Sequence, residues 1–408
     1  MGTYNPQHFR NLSLLRIIGT EFLVRFFAQH REYLNTRGAA LPEIENHPTL
    51  NYDRLHSALL APADHAPNDL AEALYLIDEI SNEEGIDALR EEVRTKLPNF
   101  TIEPQWQDAE FAIAVWLQNA RVVEDAHARI HAFKQKRFFT WGSAADFIPD
   151  LPDDLEAVVA RIAARLEAMF LDADNQRHGG AQPTRRFRLF HYLSEEHPGT
   201  VRFLIRHAGK LQNAPSVNDA GDSYLALFRP EIYDVVLFIH DRKELKIHAG
   251  SKMEQRLYAQ VFGEKLCGDA DTFAETGNYT LDPLREGPES LSALDVAGIS
   301  RVRLVEIAFN HGGEHNEYEI RRATNIYATS YYLDHGFPEG VDIDRAVFRF
   351  TLAHTNKVRK VSIKPPRTAV YTRDTDGLII ERWLQARGFS RPVNAEEAAD
   401  VDTATQEA

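Results

Sequence analysis

The sequence predicts an α+β protein, with an all-helical N-terminal domain at residues 1–178 and a mixed, largely antiparallel sheet with packed helices at residues 184–392. Three observations carry that prediction. Apolar residues recur at three- and four-residue steps as far as Met169. From Arg185 onward the pattern becomes short runs of β-branched and aromatic residues. Gly179, Gly180 and Pro183 lie between the two regimes and mark the domain boundary.

Residues 11–37 are apolar nearly all round, with Leu12, Leu15, Ile18, Phe22 and Phe26 on one side and Leu14, Ile17 and Val24 on another, which predicts a helix buried on two sides and stopped by Gly38 and Pro42. Ser81-Asn-Glu-Glu84 has the capping-box pattern, and the helix it opens ends at Pro98. A long helix is expected from about Asp108 to Phe138, on the stripe Phe111, Val115, Val122, Ala126, Ile130 and Phe133. Pro152, Asp153 and Asp154 open another, with the stripe Leu155, Val159, Ile162, Leu166 and Met169. Strands are then expected at 185–193, 200–207, 223–228, 234–240, 245–249, 299–309, 344–353, 358–364 and 368–373, and helices at about 252–266, 314–334 and 375–387. The end of the chain, 393–408, lacks aromatics and periodicity and reads as an acidic disordered tail.

The chain has 408 residues and a net charge of −15. That charge divides into −11 over residues 1–183, +1 over 184–392 and −5 in the tail. An acidic total repels polyanions at long range and argues against indiscriminate binding to nucleic acid or anionic lipid, but it leaves room for a local basic site on the neutral half. The single cysteine, Cys267, has no partner for an intramolecular disulfide, which favours a reducing compartment. The N-terminus lacks the plan of a signal peptide, and no run approaches the ~18 apolar residues of a membrane span, so the expected setting is cytoplasmic, with no membrane partner. Arginine outnumbers lysine about threefold, as in proteins from GC-rich bacterial genomes.

The sequence contains no Walker loop, dinucleotide fingerprint, nucleophile elbow or cysteine pair for zinc, and no cofactor is expected. Glu124, His127 and His131 would share a helix face, but no second Glu-x-x-His helix accompanies them, and no metal site is assigned. His311-Gly-Gly-Glu314-His315 has the H-x-x-E-H spacing, yet Gly312 and Gly313 disfavour the continuous helix that motif requires. Asp234 with Glu244-Leu-Lys246 has the order of a D…E-x-K nuclease. On a hairpin turning at Asp241–Glu244, however, Asp234 falls some 20 Å from Glu244, too far to share a metal.

Arg206-His207 ends the apolar strand VRFLI, and Asn213 follows six residues after the histidine. A second strand, RVRLVEIAFN, leads into His311-Gly-Gly, and Arg256 sits in the predicted helix after Ser251. These pieces resemble the signature of the histidine phosphatase superfamily. The resemblance implies metal-independent phosphoryl hydrolysis with His207 as nucleophile and Arg206, Arg256 and His311 as the phosphate clamp. Ala208 stands where that family has glycine, and Glu314, Glu317 and Glu319 occupy a helix start that should attract an anion.

The stretch 354–373 holds Lys357, Arg359, Lys360, Lys364, Arg367 and Arg373 with no acidic residue. Val361 and Ile363 alternate with Lys360, Ser362 and Lys364, so one face of the strand points to core and the other presents two ammoniums around a hydroxyl. Such a face suits backbone phosphates, with Tyr371 placed to stack on a base. The alternative is a sheet edge guarded by lysines. The reading that follows is a binding protein whose helical domain, 1–178, engages protein partners and whose basic strand contacts nucleic acid, as in a subunit of a bacterial defence or repair complex. Phosphohydrolysis at His207 is the alternative, and a purely structural interaction subunit is the third reading.

Overall fold

A computed structural model of the chain describes residues 4–43, 49–60, 67–143, 145, 148–178, 186–193, 199–217, 220–353, 358–371 and 377–390. Among the described residues eight α-helices come first: α1 (Gln7–Arg10), α2 (Leu12–Leu15), α3 (Thr20–Phe26), α4 (Arg31–Thr36), α5 (Tyr52–Leu60), α6 (Asn68–Ile80), α7 (Glu83–Lys96) and α8 (Asp108–Lys134). Then follow β1 (Arg137–Gly142), α9 (Leu155–His178), β2 (Phe187–Leu193), β3 (Thr200–Ala208), β4 (Gln212–Val217), β5 (Ser223–Phe228), β6 (Glu231–Ile239), β7 (Glu244–His248) and α10 (Lys252–Phe262). The chain continues through β8 (Ala274–Glu275), β9 (Ile299–Gly312), β10 (Glu317–Arg322), α11 (Ser330–His335), β11 (Asp342–Leu352), β12 (Val358–Lys364), β13 (Thr368–Val370) and α12 (Gly377–Ala386). The fold class is α+β, as the patterning predicts.

The chain forms two compact units, one of residues 1–131 with 211–229 and the other of 132–210 with 230–408. Residues 132–178, placed with the helical domain on sequence grounds, sit in the second unit for a physical reason. β1 is a central strand paired to β13 on one side and β7 on the other, and Phe170 of α9 packs 5.1 Å from Phe187 and 5.8 Å from Tyr258. The tail 393–408 lies outside the described residues, as does the expected boundary at 175–184 from residue 179 on; residues 175–178 belong to α9.

In the first unit the predicted helix at 11–37 is broken into pieces. The Asn11 side chain accepts from the Ser13 N–H at 2.9 Å and caps α2, and the Gly19 N–H donates to Glu110 Oε1 at 2.8 Å instead of to a helical carbonyl. α7 is capped by Asn82, not Ser81: Asn82 Oδ1 accepts from the Gly85 N–H at 3.1 Å, while the Ser81 hydroxyl donates back to the Ile77 carbonyl at 2.6 Å. α8 is kinked at Asn119 (φ −162°, ψ 99°), whose side chain accepts from the Arg121 N–H at 3.1 Å and recaps the second half.

The large sheet of the second unit runs β10-β9-β11-β12-β13-β1-β7-β6-β3-β2, with β8 beside β1, and every pairing is antiparallel. Its two ends bury opposite faces, which the neighbours Phe138 and Phe139 on β1 make plain. Phe138 is opposite Ala369, which belongs to the core of Leu304, Phe348, Val361 and Trp383 of α12. Phe139 is opposite Ile247, which belongs to the core of Phe203, Val236 and Phe262 under α9 and α10. The helix expected at 314–334 is instead a turn, β10 and the short α11. Gly312 (φ 63°) and Gly313 (φ 73°) adopt the left-handed conformation that reverses the chain into a hairpin with β9.

Candidate functional site

At the β9–β12 end, one sheet face lies on the α12 core and the other is lined by cations. Cross-strand pairing sets Arg303 on β9 opposite Arg349 on β11, and Arg349 opposite Lys360 on β12. With adjacent strands about 4.8 Å apart, three positive side chains stand in one row roughly 10 Å long. Arg301, two residues before Arg303, adds a fourth cation on the same face, and Arg301, Arg349 and Lys360 are exposed. Glu306 shares this face but is engaged elsewhere, accepting from Arg322 and from Arg345 at 2.6 Å each. Among the described residues, Arg301, Arg303, Arg349 and Lys360 make no ion pair with a carboxylate.

This arrangement revises the basic stretch. Lys360 is exposed as expected, but β12 lies between β11 and β13, so a guarded sheet edge does not describe it. Lys364 lies 3.4 Å from Asp344, and Arg367 pairs with Glu275 at 2.8 Å, so both cations are already compensated. Arg359 falls on the face that carries Val361 and Ile363 toward core. Tyr371 is 1% exposed and donates its hydroxyl to Glu381, so it offers no ring to a base. Lys357 and Arg373 lie outside the described residues.

The four residues of the phosphatase reading do not come together. His207 on β3 and His311 on β9 are seven strand positions apart, roughly 33 Å along the sheet, against about 8 Å for ligands of one phosphate. His207 is buried against Phe187, and its Nε2 lies 3.0 Å from Asp234 Oδ2, which also accepts from the Tyr258 hydroxyl at 2.7 Å. This is a sealed polar contact that fastens α10 to the sheet. Arg206 points to the opposite face and pairs with Glu231 at 3.3 Å, Arg256 is exposed on α10, and His311 lies 3.3 Å from Glu319 at the far edge.

A second buried network lies between β7, β13 and α12. Glu381 of α12 accepts from Lys246, from Tyr371 and, at 2.5 Å, from Arg242. Glu244 beside it accepts from Asn278 at 2.7 Å, and burial pushes its carboxyl above the ordinary range, with Lys246 opposing the shift. Glu244 and Lys246 of the D…E-x-K pattern thus serve this network. Asp234 stays with His207 and Tyr258, and Val235 opposite His248 puts Asp234 about five residues from Glu244 along the hairpin.

On α8, the rings of His127 and His131 are 4.7 Å apart. Among the described residues no group of three or more His, Cys, Asp or Glu side chains is arranged to hold a metal ion, and no helix is long and apolar enough to cross a membrane.

The row was half visible in the sequence. Arg301-x-Arg303 and Arg349 alternate with apolar residues in their strands, but only the strand order brings them beside Lys360. No family model matches the chain, and comparison with curated proteins finds none similar to it.

Proposed function

We propose that the protein binds nucleic acid through the cationic face of β9, β11 and β12, with Arg301, Arg303, Arg349 and Lys360 contacting backbone phosphates. The observation that carries this reading is the row Arg303–Arg349–Lys360. Like charges directly opposite one another in a sheet are destabilising, and here two such pairs adjoin without a facing carboxylate among the described residues. A polyanion relieves that repulsion, and each phosphate it supplies releases counterions as it is neutralised. Phosphate contacts of this kind fix position and carry no sequence information, so binding is largely independent of base sequence.

The test is fluorescence anisotropy with labelled oligonucleotides of several sequences, comparing the wild type with Arg349→Glu/Lys360→Glu. Binding by the wild type at low salt, weakened similarly across sequences by the folded variant, supports the proposal. A wild type that does not bind at low salt, or a folded variant that binds unchanged, refutes it.

A further inference from the structure

The sheet face that carries the cationic row extends past it to the β10 edge. On β11, Val347 opposite Glu306 and Arg349 opposite Arg303 are two residues apart, so Glu306 and Arg303 share that face. On β10, Arg322, Ile320 and Tyr318 lie opposite Glu306, Ala308 and Asn310 and continue it. Tyr318 is 45% and Ile320 44% exposed. The Tyr318 hydroxyl donates to Asp344 Oδ2 of β11 at 2.6 Å, although β9 runs between β10 and β11. With neighbouring strands about 4.8 Å apart, the ring must lean across β9 instead of standing out from the sheet. Ala308 and Asn310, the β9 residues nearest it on this face, are short enough to leave it room.

The two ends of this face offer different chemistry. At the row, Arg303, Arg349 and Lys360 stand without a carboxylate among the described residues. At the other end the charge is already matched, since Asp344 is held by Lys364 at 3.4 Å as well as by Tyr318. Between the ends, Arg322 and Arg345 share the single carboxylate of Glu306, so the path from row to ring stays net positive. Asn310 and Arg303 are seven residues apart on β9, which puts the ring roughly 20 Å from the row. Several nucleotides of an extended strand cover such a span. An aromatic ring accepts the π-face of any base, and cations accept the backbone. Only an unpaired strand can splay a base onto a ring, because a duplex keeps its bases stacked inside.

We propose that Tyr318 is a stacking platform for a base and that this face selects single-stranded nucleic acid, with its backbone on Arg303, Arg349 and Lys360 and a base on the Tyr318 ring. The inference rests on the cationic-face reading and narrows its ligand. A duplex meets the cations alone, whereas a single strand meets the same cations and gains a stacked base. Charge complementarity selects the occupant: a continuous positive path that ends on an open ring matches a polyanion bearing planar groups. The bond to Asp344 holds the ring across the sheet before any ligand arrives, so little side-chain freedom is lost on binding. Ile320, the next residue of β10 on this face and nearer the row, extends the apolar surface beside the ring.

The experiment uses the full chain and three labelled DNA probes at low salt: a single strand, the duplex made from it, and a strand of the same length built of abasic sites. The abasic strand keeps the phosphates and removes the bases, so its comparison with the ordinary strand needs no variant. The wild type should bind the ordinary strand about 5- to 150-fold more tightly than the abasic one, the worth of one stacked base. Tyr318→Ala should erase that preference and leave duplex and abasic binding unchanged, which also reports that the sheet is intact. Tyr318→Phe keeps the ring and should keep most of the preference. Equal wild-type binding of ordinary and abasic strands, or a preference that survives Tyr318→Ala, overturns the stacking role while leaving the cationic face in place. Loss of duplex and abasic binding in Tyr318→Ala makes the ring a structural support and overturns it as well. A wild type that binds none of the three probes overturns both readings.

Discussion

Replacing Glu381 with leucine removes the carboxylate to which Lys246, Tyr371 and Arg242 all donate. Lys246 is 2% exposed, so the variant leaves an ammonium in the protein interior without its closest counter-charge. Breaking a buried pair from one side costs about 3–5 kcal/mol, whereas replacing both partners by apolar groups is often close to neutral. Glu381→Leu should therefore lose about 3–5 kcal/mol, and Glu381→Leu/Lys246→Met should recover at least half of that. Urea denaturation of the second unit gives the free energies, and hydrogen exchange of the α12 amides shows whether the helix opens first. A loss below about 1 kcal/mol, or a double variant no better than the single, would refute the view that this network fastens α12 to the sheet.

Burial raises the carboxyl of Glu244 above its ordinary 4.5, so the folded state holds a proton that the unfolded state has released, and stability falls as pH rises from about 4.5 through the folded value. Glu244→Gln keeps an acceptor for Asn278 and removes the ionisation; its stability relative to wild type should rise with pH across that window, and a parallel pair of stability–pH curves would contradict the assignment. Gly85→Ala would place a Cβ 2.2 Å from the Ile80 carbonyl oxygen, a backbone atom that cannot swing away. Overpacking of this kind costs about 1–3 kcal/mol, measurable by urea titration of the helical unit, and a neutral result would mean that the α6–α7 corner relaxes freely.

Strands were legible where a local run of apolar or alternating residues marked them. β5 and β12 match their predicted limits, because each carries its pattern within its own few residues. β1 was missed because FFTWG follows a long helix directly and gains its place from β7 and β13, both far away in sequence. The 314–334 helix failed because charged residues after Gly313 suit a helix as well as a hairpin, and two left-handed glycines settled it. Helix breaks at Asn11, Gly19 and Asn119 depend on side-chain bonds that periodicity does not register. For the candidate site, the exposure of Lys360 followed from alternation, and the burial of Tyr371 did not. Residues beyond a strand end, such as Tyr371, are oriented by what packs over them, here Glu381 of α12. The distance between His207 and His311 was likewise set by strand order, which no local pattern encodes.

The salt dependence of nucleic-acid affinity counts the phosphate contacts made by the cationic row. The wild type should bind duplex with a negative slope of log affinity against log salt. Arg303→Gln/Arg349→Gln/Lys360→Gln should flatten that slope by about 2.7, since each lost phosphate contact removes ~0.9. The same flattening across unrelated sequences is the result predicted. A slope unchanged in a folded triple variant, or a wild type whose affinity is insensitive to salt, would contradict the account.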